Sequence, residues 1–571
     1  MGRAFPYNSL IPALHQLGYN LPLMKPPSKH PGRGLALLLI TTLLLSACGD
    51  NLWGSYDPTI TTEPGNTRVS PSPTGMVPDG TIPTSPAATL LPFPTFTASP
   101  LPTVTIDPTS TGVPTAGTPT PVTSTSIPGA TISYTSQSGD SLAVVATHFG
   151  VNPSDITSTG PLPTSGFINP GTLLFMPNRL SQTPTTPPQV IIPDSELVDS
   201  PSAVGFDIAS YVSSAGGYLS TFSDFHNPVG TISGAQAVQI ISVGSSISPR
   251  LILALIQYYT GWVQGQPRAG LDEKKLFGYE YASFDPATPT IYQPMRPAIQ
   301  ALLTGYYSWR AGNLSELTFP DGSTLRIAPG LNAGSVALQY FFSTQLNYAD
   351  WLQAINPDTG FLSLYKSMFG DPWVRADELG PLFPPNLAQP DFTLPFEVGV
   401  LWAFTGGPHP AWEAESAWGA LDFAPAAAVS GCAVSNAWAV AIAPGQIVRS
   451  EASYVVLDLD ADGYEQTGWV VIYQHIATNG RIAAGTQVAA GARIGHPSCE
   501  GGEATGTNLH LARKYNGEWV AAGGPLPFDL SGWIAHEGSA PYQGTLTKGS
   551  LTIIANQTGV HESQITRQPG E

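Results

Sequence analysis

Four residues in the last third of the chain are of the types that bind and use a divalent metal: His409, Asp422, His475 and His510. His409 lies in Gly406-Gly407-Pro408-His409-Pro410, Asp422 in Trp418-Gly419-Ala420-Leu421-Asp422-Phe423, and His510 in Asn508-Leu509-His510-Leu511-Ala512. His475 ends a segment of alternating apolar residues. Imidazole nitrogen and carboxylate oxygen bind zinc at about 2 Å, and a catalytic site uses three of them so that a fourth position stays open for water. Side chains on a strand repeat every second residue, so Asn508 and His510 share a face. A single histidine is ordinarily a structural or surface group; four such residues in ordered motifs of one β-rich region favour a metal site.

The elements that must position these residues are strands. After Phe392 the apolar period changes from 3.6 to 2, with Pro and Gly between segments such as Trp438 to Ala443, Tyr454 to Leu459 and Trp469 to His475. This pattern predicts an all-β, antiparallel domain over 392–530, followed by a C-terminal extension over 531–571. The region from about Pro395 to Trp519 resembles the lysostaphin/LytM-type zinc endopeptidases, most closely their staphylolytic and β-lytic branch. That branch sets its aspartate thirteen positions after its first histidine ligand, as Asp422 follows His409 here. The resemblance implies that His409, Asp422 and His510 hold zinc and that His475 stabilises the transition state. It also matches Val448, Gly485-Thr486-Gln487-Val488 and Gly491-Ala492-Arg493-Ile494-Gly495 to the family's strand-turn pattern.

One position departs from the family. Its closing His-x-His is replaced by Asn508-Leu509-His510, and an amide cannot accept a proton near neutral pH. Loss of a general base costs about 10²–10⁴-fold in rate. Two readings follow: a zinc endopeptidase of peptidoglycan cross-bridges weakened by Asn508, and a non-hydrolytic wall-binding adaptor or activator of another hydrolase. Asp458-Leu459-Asp460-Ala461-Asp462-Gly463 has the opening of a calcium loop, but Trp469 stands where a bidentate Glu is needed, so an acidic hairpin turn is preferred to a weak calcium site.

The rest of the chain reads as a delivery system. Lys25, Lys29 and Arg33 precede the small and apolar run Leu35 to Leu45, which suits the core of an export signal and is too short for a permanent span. Leu45-Ser46-Ala47-Cys48-Gly49 resembles the lipobox of bacterial lipoproteins, which implies acylation of Cys48, a signal region over 1–48, and a place on the extracytoplasmic face of the envelope. Met24 is an alternative start. Cys432 and Cys499 are then the only remaining cysteines, and even parity in an exported chain favours a disulfide between them. Residues 51–130 hold 16 prolines and one basic residue, Arg68, and 49–130 reads as a disordered stalk.

A folded unit over 131–178 follows. Ile132-Ser133-Tyr134-Thr135 alternates as a strand, Gly139-Asp140 turns, Ser141 caps a helix through Leu142 and Phe149, and Ile168-Asn169-Pro170-Gly171 leads to a last strand. This order resembles the βααβ LysM module, which binds N-acetylglucosamine-containing glycans such as peptidoglycan. The resemblance makes Gly139, Asp140, Ser141, Leu142, Ile168 and Asn169 the glycan-binding candidates. After a linker over 179–199, residues 200–391 read as mainly helical, with apolar periodicity in Gly234 to Val243, Pro249 to Tyr259, Met295 to Trp309, Ala333 to Phe342 and Ala349 to Ile355. The Pro249 to Trp262 segment faintly resembles the catalytic helix of lysozyme-like transglycosylases, but Tyr259 stands where the acid belongs, so a structural role is preferred. Leu362 to Gln389 reads as an irregular connector. The net charge of −18 on 22 basic and 40 acidic residues excludes nucleic acid as a natural partner. The expected partners are peptidoglycan glycan and peptide, and a membrane through the lipid.

Overall fold

The computed structural model describes residues 130–571 apart from 227–229, 281–289, 413–415, 427–430 and 503. Cys48, the signal region and the stalk lie outside the described residues. Among the described residues no helix is long and apolar enough to cross a membrane.

The first unit pairs β1 (Thr131–Thr135) antiparallel with β2 (Leu173–Pro177), and α1 (Leu142–Phe149) packs against them. Ser141 caps α1 by accepting from the Val144 N–H, and Gly150 ends it in the left-handed region. The expected second helix does not form. A single 3₁₀ turn, Pro153–Asp155, leads instead to the short strand Thr157–Ser158, which pairs with β2. Gly160, Pro161, Pro163 and Gly166 follow so closely that no helical run fits between them.

The middle region is mainly helical: α2 (Ile208–Ala215), α3 (Gly234–Ser245), α4 (Pro249–Thr260), α5 (Tyr292–Arg310), α6 (Ala333–Ser343), α7 (Tyr348–Ala354), α8 (Phe361–Phe369) and α9 (Pro372–Leu379). A capping box of Ser233 and Gln236 starts α3, and Pro249 starts α4 where no N–H partner is lost. The last two helices occupy what reads in sequence as an irregular connector. Phe361, Leu362 and Tyr365 bury one face of α8, Gly370 stops it, and Asp371 caps α9. Two short antiparallel strand pairs, Ser223–His226 with Gly230–Ser233 and Glu316–Thr318 with Thr324–Arg326, interrupt the helices. Tyr259 is half-buried and donates its hydroxyl to Gln345 Oε1 at 2.8 Å, which makes it a packing group rather than a catalytic acid.

The last region is built on a nine-stranded antiparallel sheet. Its main strands are β3 (Leu401–His409), β4 (Ala420–Pro425), β5 (Gly445–Glu451), β6 (Tyr454–Asp458), β7 (Trp469–Gln474), β8 (Leu509–Tyr515) and β9 (Gln564–Thr566), lying in the order β5-β6-β7-β8-β4-β3-β9. The final forty residues are thus woven into the sheet through β9 and into a four-stranded sheet over 529–554. Of the expected strand at Trp438 to Ala443 only Ala439–Val440 pairs, because the Val440 and Ala441 N–H groups turn to the carbonyls of Pro395 and Ala492.

Arg310, at the end of α5, joins the three regions. Its Nη2 is 2.9 Å from Asp194, its Nε is 3.0 Å from buried Glu518 beyond β8, and Nη1 donates to the Ser138 carbonyl of the first unit. Tyr306 donates to Glu518 at 2.9 Å, and the Trp519 N–H donates to the Tyr307 hydroxyl at 3.0 Å. Removing one partner of a buried ion pair strands the other charge and costs about 3–5 kcal/mol. Arg310→Ala is therefore expected to lose about that much stability in urea unfolding; a loss under about 1 kcal/mol, the level of an exposed pair, would show that water already screens the network.

Candidate metal centre

The centre forms where β3, β4 and β8 lie side by side. Asp422 pairs directly with His510 across β4 and β8, and with Gly406 across β4 and β3. Register shifts on β3 between Phe404 and His409 carry the His409 side chain to the same place. Gly406 is required by space alone: a Cβ there would sit 2.6 Å from Asp422 Oδ2.

The donor atoms converge. His409 Nε2 lies 3.1 Å from His510 Nδ1 and 3.4 Å from Asp422 Oδ1, and His510 Nδ1 lies 3.3 Å from the same oxygen. The far nitrogens face main-chain carbonyls, His409 Nδ1 at 2.7 Å from Gly407 O and His510 Nε2 at 3.4 Å from Ala411 O. A carbonyl can only accept, so each far nitrogen carries its proton and each near nitrogen presents a lone pair. Asp422 Oδ1, buried between them, accepts no hydrogen bond. Three acceptors with no proton among them fit a cation. Their separations match the edges of a tetrahedron with ligand bonds of about 2.0–2.1 Å, the zinc range.

Burial opposes charging of His409, but the adjacent Asp422 carboxylate prevails and raises its pKa above 6.5. Burial would raise Asp422, yet His409 and His510 hold it well below the usual carboxylate range. The Tyr542 ring stacks on His409, with centroids 4.1 Å apart. Nothing in the sequence marks this contact, since Tyr542 comes from the last forty residues and holds a left-handed φ of 68°.

His475 follows β7 and is also left-handed, at φ 63°. Its ring centroid is 6.3 Å from that of His510. Its Nδ1 donates to the Glu500 carbonyl at 3.0 Å, so the neutral ring offers Nε2 as an acceptor. Burial, then His510, lowers its pKa below 6.5. Asn508 donates from Nδ2 to Gly506 O at 2.9 Å, while its buried Oδ1 accepts nothing.

Cys432 and Cys499 form a disulfide, with Cα atoms 5.6 Å apart. It joins the segment after β4 to the one before β8, and the Thr507 N–H donates to Gly431 O at 3.1 Å beside it. The glycan-binding candidates are mostly committed to internal contacts. The Asp140 carboxylate accepts from the Tyr134 hydroxyl and the Gln137 N–H, both at 2.7 Å. Ser141 is the α1 cap and Ile168 is buried. Asn169 exchanges hydrogen bonds with Asn386, receiving the Asn386 N–H at 2.8 Å. Gly139, Ile168 and Asn169 do line a cavity of about 400 Å³ shared with Phe383 and Asn386.

The family described as LasA, N-terminal domain, matches residues 190–384, the helical region rather than the strands of the metal centre. No curated protein matches the chain. Among solved structures the chain is similar to the M23 metalloprotease pseudoalterin from the deep sea, at 21% identity over 29% of this chain and 96% of that one, with a TM-score of 0.25. It is also similar to the catalytic domain of the antimicrobial peptidase lysostaphin from Staphylococcus simulans, at 22% identity over 22% and 89% of the two chains, with a TM-score of 0.16. A zinc-containing peptidase from Vibrio cholerae aligns at 18% identity over 25% and 41%, with a TM-score of 0.17.

The disulfide closes a long loop, worth about 4 kcal/mol in the chain-entropy picture. The double variant Cys432→Ser, Cys499→Ser is expected to lose about that stability in denaturant. The native chain should weigh two hydrogens less before reduction than after; free thiols at both positions would contradict the pairing.

Proposed function

We propose that the chain is a zinc-dependent endopeptidase of peptidoglycan cross-bridges, working at the extracytoplasmic face of a bacterial envelope. One observation carries the reading: the unprotonated donors of His409, Asp422 and His510 converge on one point. The 131–178 unit would hold peptidoglycan glycan, and a lipid on Cys48 would confine the enzyme to the reach of the stalk, raising the local concentration of substrate. A zinc ion held by His409, Asp422 and His510 would polarise the scissile carbonyl and acidify water.

The chain's own residues then divide the proton work. Asn508 cannot take a proton, but its unpaired Oδ1 can accept a hydrogen bond from the attacking water and orient it. His475 Nε2, a lone pair as long as the ring is neutral, is a weaker substitute for the family's missing base: it takes the proton and returns it to the leaving amine, and a histidine restored at 508 would do so faster. This differs from the role the family resemblance implies for His475, and it follows from the Glu500 carbonyl that fixes the ring's proton on Nδ1. Asn508 also favours the second reading, a non-hydrolytic peptidoglycan-binding adaptor or activator that keeps its metal.

Cleavage of cross-linked muropeptides separates the two. The enzyme reading expects measurable wild-type turnover, no turnover in His510→Ala, and a gain of up to about 10²–10⁴-fold in Asn508→His. Because the folded pKa of His475 is lowered, the neutral base persists as pH falls through 6.5, and the rate should drop only below that value. Zinc-loaded wild type and Asn508→His that both cleave nothing would leave the adaptor reading standing.

A further inference from the structure

The turn between β6 and β7 carries a second group of carboxylates, far in sequence from the zinc ligands. Asp458, Asp460 and Asp462 each offer an oxygen, and these oxygens lie within 4.8 Å of one another. Asp460 and Asp462 are exposed, whereas Asp458 is 0% exposed. Asp458 Oδ2 accepts the Gly463 N–H at 2.9 Å, but Oδ1 is enclosed and accepts nothing. Burial, and then the neighbouring Asp460 carboxyl, raise the Asp458 pKa to about 6, so at neutral pH the group is ionised and its donorless buried oxygen is costly unless a positive charge meets it.

Among the described residues no cationic side chain meets it. Arg449 on β5 and Lys514 on β8 are both drawn to Glu465, at 2.6 and 3.6 Å. Asp462 is held in place by the Tyr464 N–H at 2.9 Å and the Thr467 hydroxyl at 2.7 Å. Gly468 leaves the space that Asp460 fills, since a Cβ there would come 2.4 Å from Asp460 Oδ2. The donor set is all oxygen, carboxylate first, which suits a hard cation and selects against zinc.

We infer that Asp458, Asp460 and Asp462 bind calcium, with the buried Asp458 Oδ1 as the anchor. Trp469 at the twelfth position supplies no carboxylate, so water completes the shell and affinity falls in the range of extracellular modules, about 10⁻⁴–10⁻³ M. The ion stiffens the turn that leads through β7 to His475. It also steadies the contact in which Gln466 donates to Asp199 at 3.0 Å, where the sheet meets the helical region.

Calorimetric titration of the zinc-loaded full chain with calcium tests this. One saturable event in that affinity range is expected, with affinity at least about tenfold weaker in Asp460→Asn and in Asp462→Asn. Both positions are exposed, so both variants should fold. His510→Ala should keep the calcium event, which separates this site from the zinc centre. No saturable binding up to about 10 mM calcium, or unchanged affinity in both asparagine variants, would overturn the assignment.

Discussion

Three electron-pair donors are pressed together in the sheet with no proton between them, and the rest of the last region serves to keep them there. Asp422 Oδ1 lies within 3.4 Å of two imidazole nitrogens and takes a hydrogen bond from neither. The two imidazoles are what keep this buried carboxylate ionised, against the cost of its burial. The fold tolerates it through local devices: the space left by Gly406, the carbonyls of Gly407 and Ala411 that fix the tautomers, and the direct pairing of Asp422 with His510. A divalent cation placed among the three donors would meet all of them at once, which is the reading proposed for the site.

The other regions are fastened to this sheet at its far end. Arg310 reaches from the helical region to Glu518 just past β8, and to Ser138 in the first unit. Phe167 and Phe383 rings sit 5.2 Å apart, and Asn169 bonds Asn386, so the loops expected to meet glycan also meet the helical region. A glycan chain entering the cavity there would contact Phe383 and Asn386 as well as the small module.

Much of the centre was legible because its chemistry is carried by side chains on strands. Alternation places Asn508 and His510 together, and the spacing of His409 and Asp422 matches a recognisable pattern. What escaped is carried by the main chain or by distant segments. The carbonyls of Gly407, Ala411 and Glu500 have no residue-type signature, and Tyr542 arrives from a segment read as an extension. Apolar periodicity marks five of the helices, from Gly234–Ser245 to Tyr348–Ala354, but does not single out Ile208–Ala215. Phe361–Phe369 and Pro372–Leu379 fall in the segment that reads as an irregular connector, because Gly370-Asp371-Pro372 interrupts the periodicity; it is one helix's stop followed by the next one's cap. The same weighting erred the other way in the first unit, where a loose stretch was credited with a helix that its prolines and glycines prevent.

The central claim is that His409, Asp422 and His510 close on one zinc ion, and zinc-edge X-ray absorption on the purified, dialysed chain addresses it most directly. The account predicts one zinc per chain in a shell of nitrogen and oxygen at about 2.0–2.1 Å, with outer-shell scattering from two imidazoles and no sulfur at about 2.3 Å. In Asp422→Ala the zinc should be lost. A metal-free native chain, or a shell containing sulfur or a single imidazole, would contradict it.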